Sequence, residues 1–158
     1  MQKEWDESYD KYFNEQLDAI FTINETAAVL EKDGIKVISD YNDGFAVARY
    51  NIAKSKFFYV NANKVRTSDK SYEDAKPFFE GIARVRVDDK WAYINEREEF
   101  ISLDRFDGAY DFENGVAIVA KAGKYNYINT HGNILYEEWY NSVNELKNAH
   151  PMDNRKEI

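Results

Sequence analysis

Apolar and charged residues alternate along residues 83–87, and this two-residue period predicts a β-strand with one buried face. A polar stretch at residues 88–90 follows, and residues 91–94 are then rich in aromatic and β-branched side chains, as a returning strand would be. Residues 116–129 repeat this pattern around a turn at residues 122–124. Both segments are therefore predicted to form β-hairpins.

The hairpin pattern belongs to a sequence repeat that occurs three times, in residues 43–61, 80–95 and 114–129. Each copy has glycine near its start, alanine two residues later, and two aromatic residues followed by asparagine at its end. The shared positions are Gly44, Gly81 and Gly115; Ala46, Ala83 and Ala117; Phe57 with Tyr59, Trp91 with Tyr93 and Tyr125 with Tyr127; and Asn61, Asn95 and Asn129. Since so small a unit cannot bury its own apolar face, the copies are predicted to stack.

The repeated pattern, aromatic-acidic-x-Ala … Phe-x-x-Gly-x-Ala-x-Val … Trp-x-Tyr-Ile-Asn-x-x-Gly, resembles the WG (KWG) repeat of many bacterial proteins over residues 34–143. The Trp-Gly pair that names the family is replaced by Phe57-Phe58, Trp91-Ala92 and Tyr125-Asn126, and the glycine after the asparagine is kept only as Gly132. The resemblance implies a β-rich repeat scaffold without established catalytic residues.

The predicted fold class is mainly β: stacked antiparallel β-meander repeats with an N-terminal amphipathic helix and a short C-terminal helix. We expect a single domain over residues 1–158, with the N-terminal helix at 1–24, the repeats at 34–143, and the end of the C-terminal helix and a tail at 144–158. The third strand of a meander is predicted at residues 100–103 and, in the next copy, at 134–136.

Two terminal segments carry the helical pattern. The N-terminal stripe is formed by Trp5, Tyr9, Tyr12, Phe13, Leu17, Ile20 and Phe21. Residues 137–148 place Trp139, Val143 and Leu146 on one helical face. Between the N-terminal stripe and the repeats, residues 27–43 contain a hairpin signal, Asp33-Gly34, and whether they form a fourth repeat stays open.

Composition excludes several kinds of chemistry. The chain has no cysteine, which excludes disulfides and thiolate sites, and its net charge of −8 argues against direct nucleic-acid binding. No apolar run approaches the ~20 residues of a membrane helix, and the acidic start is unlike a signal peptide, so a cytoplasmic location is expected. The two histidines, His131 and His150, have no nucleophile partner in a known motif. We therefore predict no enzyme, no cofactor and no metal.

Charge is distributed unevenly, which suggests a polarised surface that could orient a protein partner. Residues 45–72 hold 6 basic and 1 acidic side chains, whereas residues 73–115 hold 6 basic and 12 acidic ones. The predicted protein-binding residues are the basic Arg49, Lys54, Lys56, Lys64 and Arg66, and the acidic Asp88, Asp89, Glu96, Glu98, Glu99 and Asp104.

The leading hypothesis is a non-enzymatic protein-binding module that contacts an unidentified protein. One alternative is an acidic intracellular inhibitor that occupies the nucleic-acid site of a host or defence enzyme, which requires the acidic residues to form one continuous ridge. A second is a carbohydrate-binding repeat protein, because residues 123–133 are similar to choline- and wall-binding repeats. Phe58, Tyr110 and Tyr136, which lie outside the shared aromatic columns, are then the candidate contacts, whereas Trp91 is expected to be buried.

Overall fold

The computed structural model describes residues 34–151 and divides the chain into two compact units, with the boundary after Ser71. The described part of the first unit holds one three-stranded antiparallel sheet, and that of the second unit holds two such sheets and a short helix. The predicted mainly β class is confirmed. The predicted N-terminal helix at 1–24 and the end of the tail at 152–158 lie outside the described residues, and the single domain stays a prediction.

Each sheet is a meander whose middle strand pairs antiparallel with both of its neighbours. The nine strands in chain order are β1 (Ile35–Val37), β2 (Ala46–Tyr50), β3 (Phe57–Val60), β4 (Asp74–Ala75), β5 (Ala83–Val87), β6 (Lys90–Ile94), β7 (Gly108–Ala109), β8 (Val116–Lys121) and β9 (Lys124–Asn129). We call the sheets β1–β3, β4–β6 and β7–β9 the first, second and third repeats.

Equivalent residues of the three repeats occupy the same register. The repeated alanine at the start of each middle strand pairs with the aliphatic residue just before the repeated asparagine: Ala46 with Val60, Ala83 with Ile94, and Ala117 with Ile128. All three alanines are buried. The equivalence of the hairpins predicted from the sequence is therefore confirmed, and the three extra residues of the first repeat lie in its β2–β3 loop.

The strand that completes each sheet beside the hairpin comes before the repeat glycine in the chain, not after the repeat asparagine. The prediction of strands at residues 100–103 and 134–136 is therefore wrong. Phe100 and Ile134 form only isolated bridges, to Ile94 and Ile128. Ile101 still donates its N–H to the carbonyl of Tyr93, and a turn follows in which the Ser102 hydroxyl accepts a hydrogen bond from the backbone N–H of Asp104. In the first repeat this additional strand is β1. The described part of residues 27–43 therefore completes the first repeat and is not a fourth one.

The repeated asparagine closes the turn that follows each hairpin. The Asn95 side-chain oxygen accepts hydrogen bonds from the backbone N–H groups of Arg97 and Glu99, at 2.9 and 3.0 Å. Asn61 and Asn129 make the equivalent pairs of bonds. The fourth residue of each turn has a positive φ: 62° at Lys64, 60° at Glu98 and 85° at Gly132. The Asn-x-x-Gly pattern is thus a turn requirement, met without glycine in two copies.

Gly132 is constrained by packing as well as by its backbone angle. A Cβ atom at this position would overlap the carbonyl oxygen of Ile101 and lie 2.9 Å from its carbonyl carbon. Gly115 has the same φ, 85°, but open space around its missing Cβ. A side chain at Gly115 would therefore meet backbone strain alone, whereas one at Gly132 would also meet a steric clash.

We predict that Gly115→Ala lowers the free energy of unfolding by about 1–2 kcal/mol, the cost of a side chain in left-handed backbone. Gly132→Ala should cost about 3 kcal/mol or more, since the third repeat must also move away from Ile101. Urea denaturation of both variants measures the difference. Equal losses would contradict the close packing at Gly132.

The second and third repeats share one apolar core. Its centre is Tyr93, whose ring lies 6.3 Å from that of Phe106 and 5.1 Å from that of Phe112, centroid to centroid. Ala109, Ala117, Val119 and Ile128 of the third repeat complete this buried cluster. The Tyr93 hydroxyl donates a 2.7 Å hydrogen bond to the carbonyl of Tyr110, and burial raises the pKa of Tyr93 well above its ordinary range.

The two aromatic columns of the repeat differ in burial. Tyr59, Tyr93 and Tyr127 are buried, whereas Phe57, Trp91 and Tyr125 are half-buried. The expectation that Trp91 is buried is therefore wrong, because its side chain is only half-buried. Trp91 packs at the margin of the shared core, and the Arg84 guanidinium carbon lies 5.6 Å from its ring centre.

We predict that Tyr93→Ala costs about 3–5 kcal/mol of unfolding free energy, because it removes a buried aromatic ring. Trp91→Ala should cost less, about 1–3 kcal/mol, because part of the indole already contacts solvent. Thermal and urea unfolding of both variants give the order. A larger loss for Trp91→Ala would place the tryptophan, and not the tyrosine, at the centre of the core.

A short helix, α1 (Val143–Ala149), covers the third repeat. It begins later than the predicted residue 137, because Tyr140 exchanges two backbone hydrogen bonds with Tyr125 and Ser142 caps the helix by accepting the N–H of Glu145. Leu146 of α1 is fully buried in a cluster with Val116, Ile118 and Tyr127. The third repeat therefore has a helical cap on one face.

Candidate functional site

Several carboxylates of the acidic segment hold backbone turns in place. The Glu73 carboxylate accepts the N–H groups of Asp88 and Asp89 at the tip of the β5–β6 hairpin, both at 3.0 Å. The Glu80 carboxylate does the same for Asn114 and Gly115 of the third repeat, at 2.7 and 2.9 Å. These acidic residues satisfy the N–H groups of turns whose backbone is left-handed, so part of the acidic composition serves the fold.

Asp107 closes the β8–β9 hairpin in the same way. Its carboxylate accepts a hydrogen bond from the Lys90 ammonium and a 2.8 Å bond from the backbone N–H of Ala122. These two donors, the Lys90 bond first, hold the pKa of Asp107 below its ordinary value of 3.8. The ionised form is therefore favoured in the folded protein.

We predict that Asp107→Asn lowers the melting temperature at neutral pH and that this difference disappears in acid. The folded-state pKa of Asp107 lies below the unfolded-state value, so its ionised form stabilises the fold above the ordinary pKa. This stabilisation is lost as the pH falls through the lowered folded-state pKa. Melting temperatures of both proteins between pH 7 and pH 2 test this, and a constant difference over that range would contradict it.

The predicted acidic binding residues do not form one ridge in the described part of the chain. Asp88 and Asp89 lie at one end of β6, and Glu96 and Glu99 lie beyond its other end, with a five-residue strand of roughly 17 Å between them. Glu98 is buried, with 4% of its surface exposed, and accepts a 2.7 Å hydrogen bond from the Tyr72 hydroxyl. Glu98 is thus removed from any contact surface.

Three of the other predicted acidic residues are ion-paired. Arg86 pairs with Asp89, Arg97 with Glu99 at 3.1 Å, and Lys121 with Asp104 at 4.0 Å. Each of these three carboxylates therefore has a cation beside it in the second or third repeat.

The basic residues of the first repeat lie at two ends of its sheet. Lys54 and Lys56 are exposed in the β2–β3 loop, next to Arg49 at the end of β2. Lys64 and Arg66 follow the opposite end of β3. The Arg66 guanidinium lies 4.2 Å from the Phe58 ring centre and donates a 3.2 Å hydrogen bond to the Tyr50 hydroxyl, so it serves the packing of the repeat.

The first repeat has a cleft that the sequence reasoning missed. It has a volume of about 380 Å³ and is lined by Lys36, Ile38, Arg49, Asn51, Ile52, Ala53 and Phe57. Arg49 donates hydrogen bonds to the carbonyls of Ile52, at 2.6 Å, and Tyr50, at 3.3 Å, and its guanidinium carbon lies 5.9 Å from the Phe57 ring centre. Two cations thus lie beside aliphatic and aromatic surface. Only Arg49 was a predicted site residue.

The aromatic side chains proposed as ligand contacts have different environments. Phe58 is buried, with 2% of its surface exposed, so its candidacy is wrong. Tyr136 stacks on His150 at 3.5 Å between ring centres, and His150 also meets the Tyr140 hydroxyl at 3.1 Å. Tyr110 is about half exposed. Leu103, with 95% exposure, was not singled out because it fell in a segment predicted to be a strand.

Residues 34–151 contain no group of three or more His, Asp or Glu side chains placed to hold a metal ion. Among the same residues, no helix has the length and apolar character needed to cross a membrane. His131 is exposed, and its backbone N–H donates to the Asn129 side chain within the turn.

The family model of the WG containing repeat matches residues 69–91 and 92–125. The two matches are adjacent and together span residues 69–125. The predicted resemblance is therefore confirmed over the second repeat and most of the third, and the first repeat shares their register although it lies outside the match. No curated protein and no solved structure matches the chain.

Proposed function

We propose that the chain is a non-enzymatic protein-binding module, in which WG repeats form the scaffold and the first repeat provides the contact surface. The observation that carries this proposal is a group of basic side chains at one end of the first sheet, consisting of Lys36, Arg49, Lys54 and Lys56. Among residues 34–151, none of the four forms an ion pair with a carboxylate.

The second repeat differs in this respect. Its basic residues Arg84, Arg86, Lys90 and Arg97 all pair with carboxylates. A cation held in such a pair is largely neutralised, whereas the basic group of the first repeat remains available to an acidic partner surface. Opposite charges on two proteins accelerate their association and orient the encounter.

The alternatives have less support. The inhibitor hypothesis needs a continuous acidic ridge, which the described residues do not supply. The carbohydrate hypothesis needs exposed aromatic side chains outside the shared columns, and of its three candidates Phe58 is buried, Tyr136 is half-buried against His150, and Tyr110 alone is exposed.

We predict that Lys54→Glu combined with Lys56→Glu slows association with the partner several-fold and leaves dissociation nearly unchanged. Both lysines are exposed, and charges at the rim of an interface act mainly on the association rate. The partner would be obtained by affinity capture from the native host and then purified. Association and dissociation rates would be measured by surface plasmon resonance at low and high salt, where the effect should fade as salt rises.

The matched control is Asp88→Asn combined with Asp89→Asn, which removes two charges from the hairpin tip of the second repeat. Asparagine tolerates the left-handed backbone of that tip, so the turn should be kept. This control should bind like the wild type. If it loses binding while the lysine variant keeps it, the contact surface is the acidic one, and if a nucleic acid or glycan is the captured species the proposal is wrong.

A further inference from the structure

One transverse row of the first sheet carries two like charges side by side. Lys36 of β1 is the direct cross-strand partner of Arg49 of β2, and Arg49 is in turn the partner of Phe57 of β3. All three side chains line the same cleft. Like charges placed directly opposite on neighbouring strands are destabilising, so this row has a cost in the free protein.

The equivalent row of the second repeat is compensated. There Asp74 is the partner of Arg86, and Arg86 is the partner of Trp91. Arg86 also forms an ion pair with Asp89 of the hairpin tip. Across the three strands, the second repeat thus has an acidic, a basic and an aromatic residue, whereas the first repeat has two basic residues and an aromatic one. The first repeat therefore has a lysine where the second has a carboxylate.

The third repeat has no charge in this row. Its members are Gly108, Ala120 and Tyr125. The fold therefore does not require charged residues here, and the pair Lys36 and Arg49 is a property of the first repeat alone. The longer β2–β3 loop of this repeat adds Ile52 and Ala53 as one wall of the cleft.

We infer that the cleft binds a carboxylate side chain of an acidic peptide segment, placed between Lys36 and Arg49, with a neighbouring apolar side chain of that segment on Phe57 and Ile52. The inference rests on the proposed function, because it names the part of the partner that the first repeat recognises. The bound carboxylate lies beside Arg49 as Asp74 lies beside Arg86 in the register of the second repeat. Hydrogen bonds from both cations to the carboxylate are charge-assisted and therefore stronger than neutral ones.

An acidic peptide fits this cleft better than a nucleic acid does. The cleft has two cations and four apolar lining residues, which suit a segment with isolated carboxylates among apolar side chains. A nucleic acid carries a phosphate at every nucleotide and needs an extended basic surface, whereas the whole chain has a net charge of −8.

The test is a selection of random twelve-residue peptides displayed on phage against the full chain of 158 residues. We expect the selected peptides to combine Asp or Glu with neighbouring Leu, Ile or Phe. Fluorescein-labelled copies would then be titrated with the protein in anisotropy measurements. Arg49→Gln and Lys36→Glu should each weaken binding roughly ten-fold or more, and replacing the peptide's acids by amides should have the same effect.

Lys64→Gln is the matched control, because it removes a basic charge from the opposite end of the same sheet, and it should bind as the wild type does. Lys36→Glu also has a second readout, which distinguishes a specific loss of binding from a loss of binding caused by unfolding. Since it replaces a like-charge pair by an opposite-charge pair, it should raise the melting temperature of the free protein by roughly 1–2 °C while it loses binding.

The inference is wrong if no peptide is selected, if the selected peptides lack acidic residues, or if they bind Lys36→Glu as tightly as the wild type. It is also wrong if a twelve-nucleotide single-stranded DNA competes for the cleft more strongly than the peptides do. The proposed function is tested separately. If the Lys54→Glu and Lys56→Glu variant still slows association with a captured protein, that function stands and the contact lies outside the cleft.

Discussion

A three-stranded meander has two faces and too few residues to bury either alone, and the second and third repeats meet this constraint by sharing a core. The buried tyrosine of the second repeat, Tyr93, inserts between Phe106 and Phe112 and meets the small residues Ala109 and Ala117 of the third. Small side chains on one sheet let the large ring of the next approach closely. The packing of Tyr93 on these small residues thus sets the spacing of the two repeats, and Leu146 of α1 covers a face of the third repeat.

Tight turns make this spacing possible, and they depend on left-handed backbone at many positions that are not glycine. Asp88, Asp89, Glu80 and Asn114 all have positive φ. The backbone N–H groups of such turns converge on one point, and a carboxylate from a neighbouring strand or repeat accepts them, as Glu73 and Glu80 do. Acidic residues are therefore part of the construction of the repeats, which explains why a high acidic content did not produce an acidic binding ridge.

The first repeat uses the same strand register for a different set of side chains. Where the second repeat places Asp74 beside Arg86, the first places Lys36 beside Arg49, and a longer loop forms a wall next to them. The three repeats can be compared at this row of cross-strand neighbours. Opposite charges occupy it in the second repeat, no charge in the third and two like charges in the first, so folding does not determine its charge. A protein whose overall charge is negative thus keeps a local basic cleft.

The sequence by itself determined the repeat, its register and the antiparallel hairpins, because the period of two and the glycine, alanine and asparagine columns are local signals that a short segment contains completely. It also indicated Arg49, Lys54 and Lys56 as part of a basic surface. It could not place the third strand, since β4 and β7 are two residues long and owe their pairing to the neighbouring hairpin, nor the start of α1, which Tyr140 delays by pairing with Tyr125. Only the tertiary structure decided which charges are neutralised by distant partners. Glu98 is buried against Tyr72, Asp111 pairs with Arg84, and Lys36 stands opposite Arg49, because these contacts depend on which strands become neighbours in space.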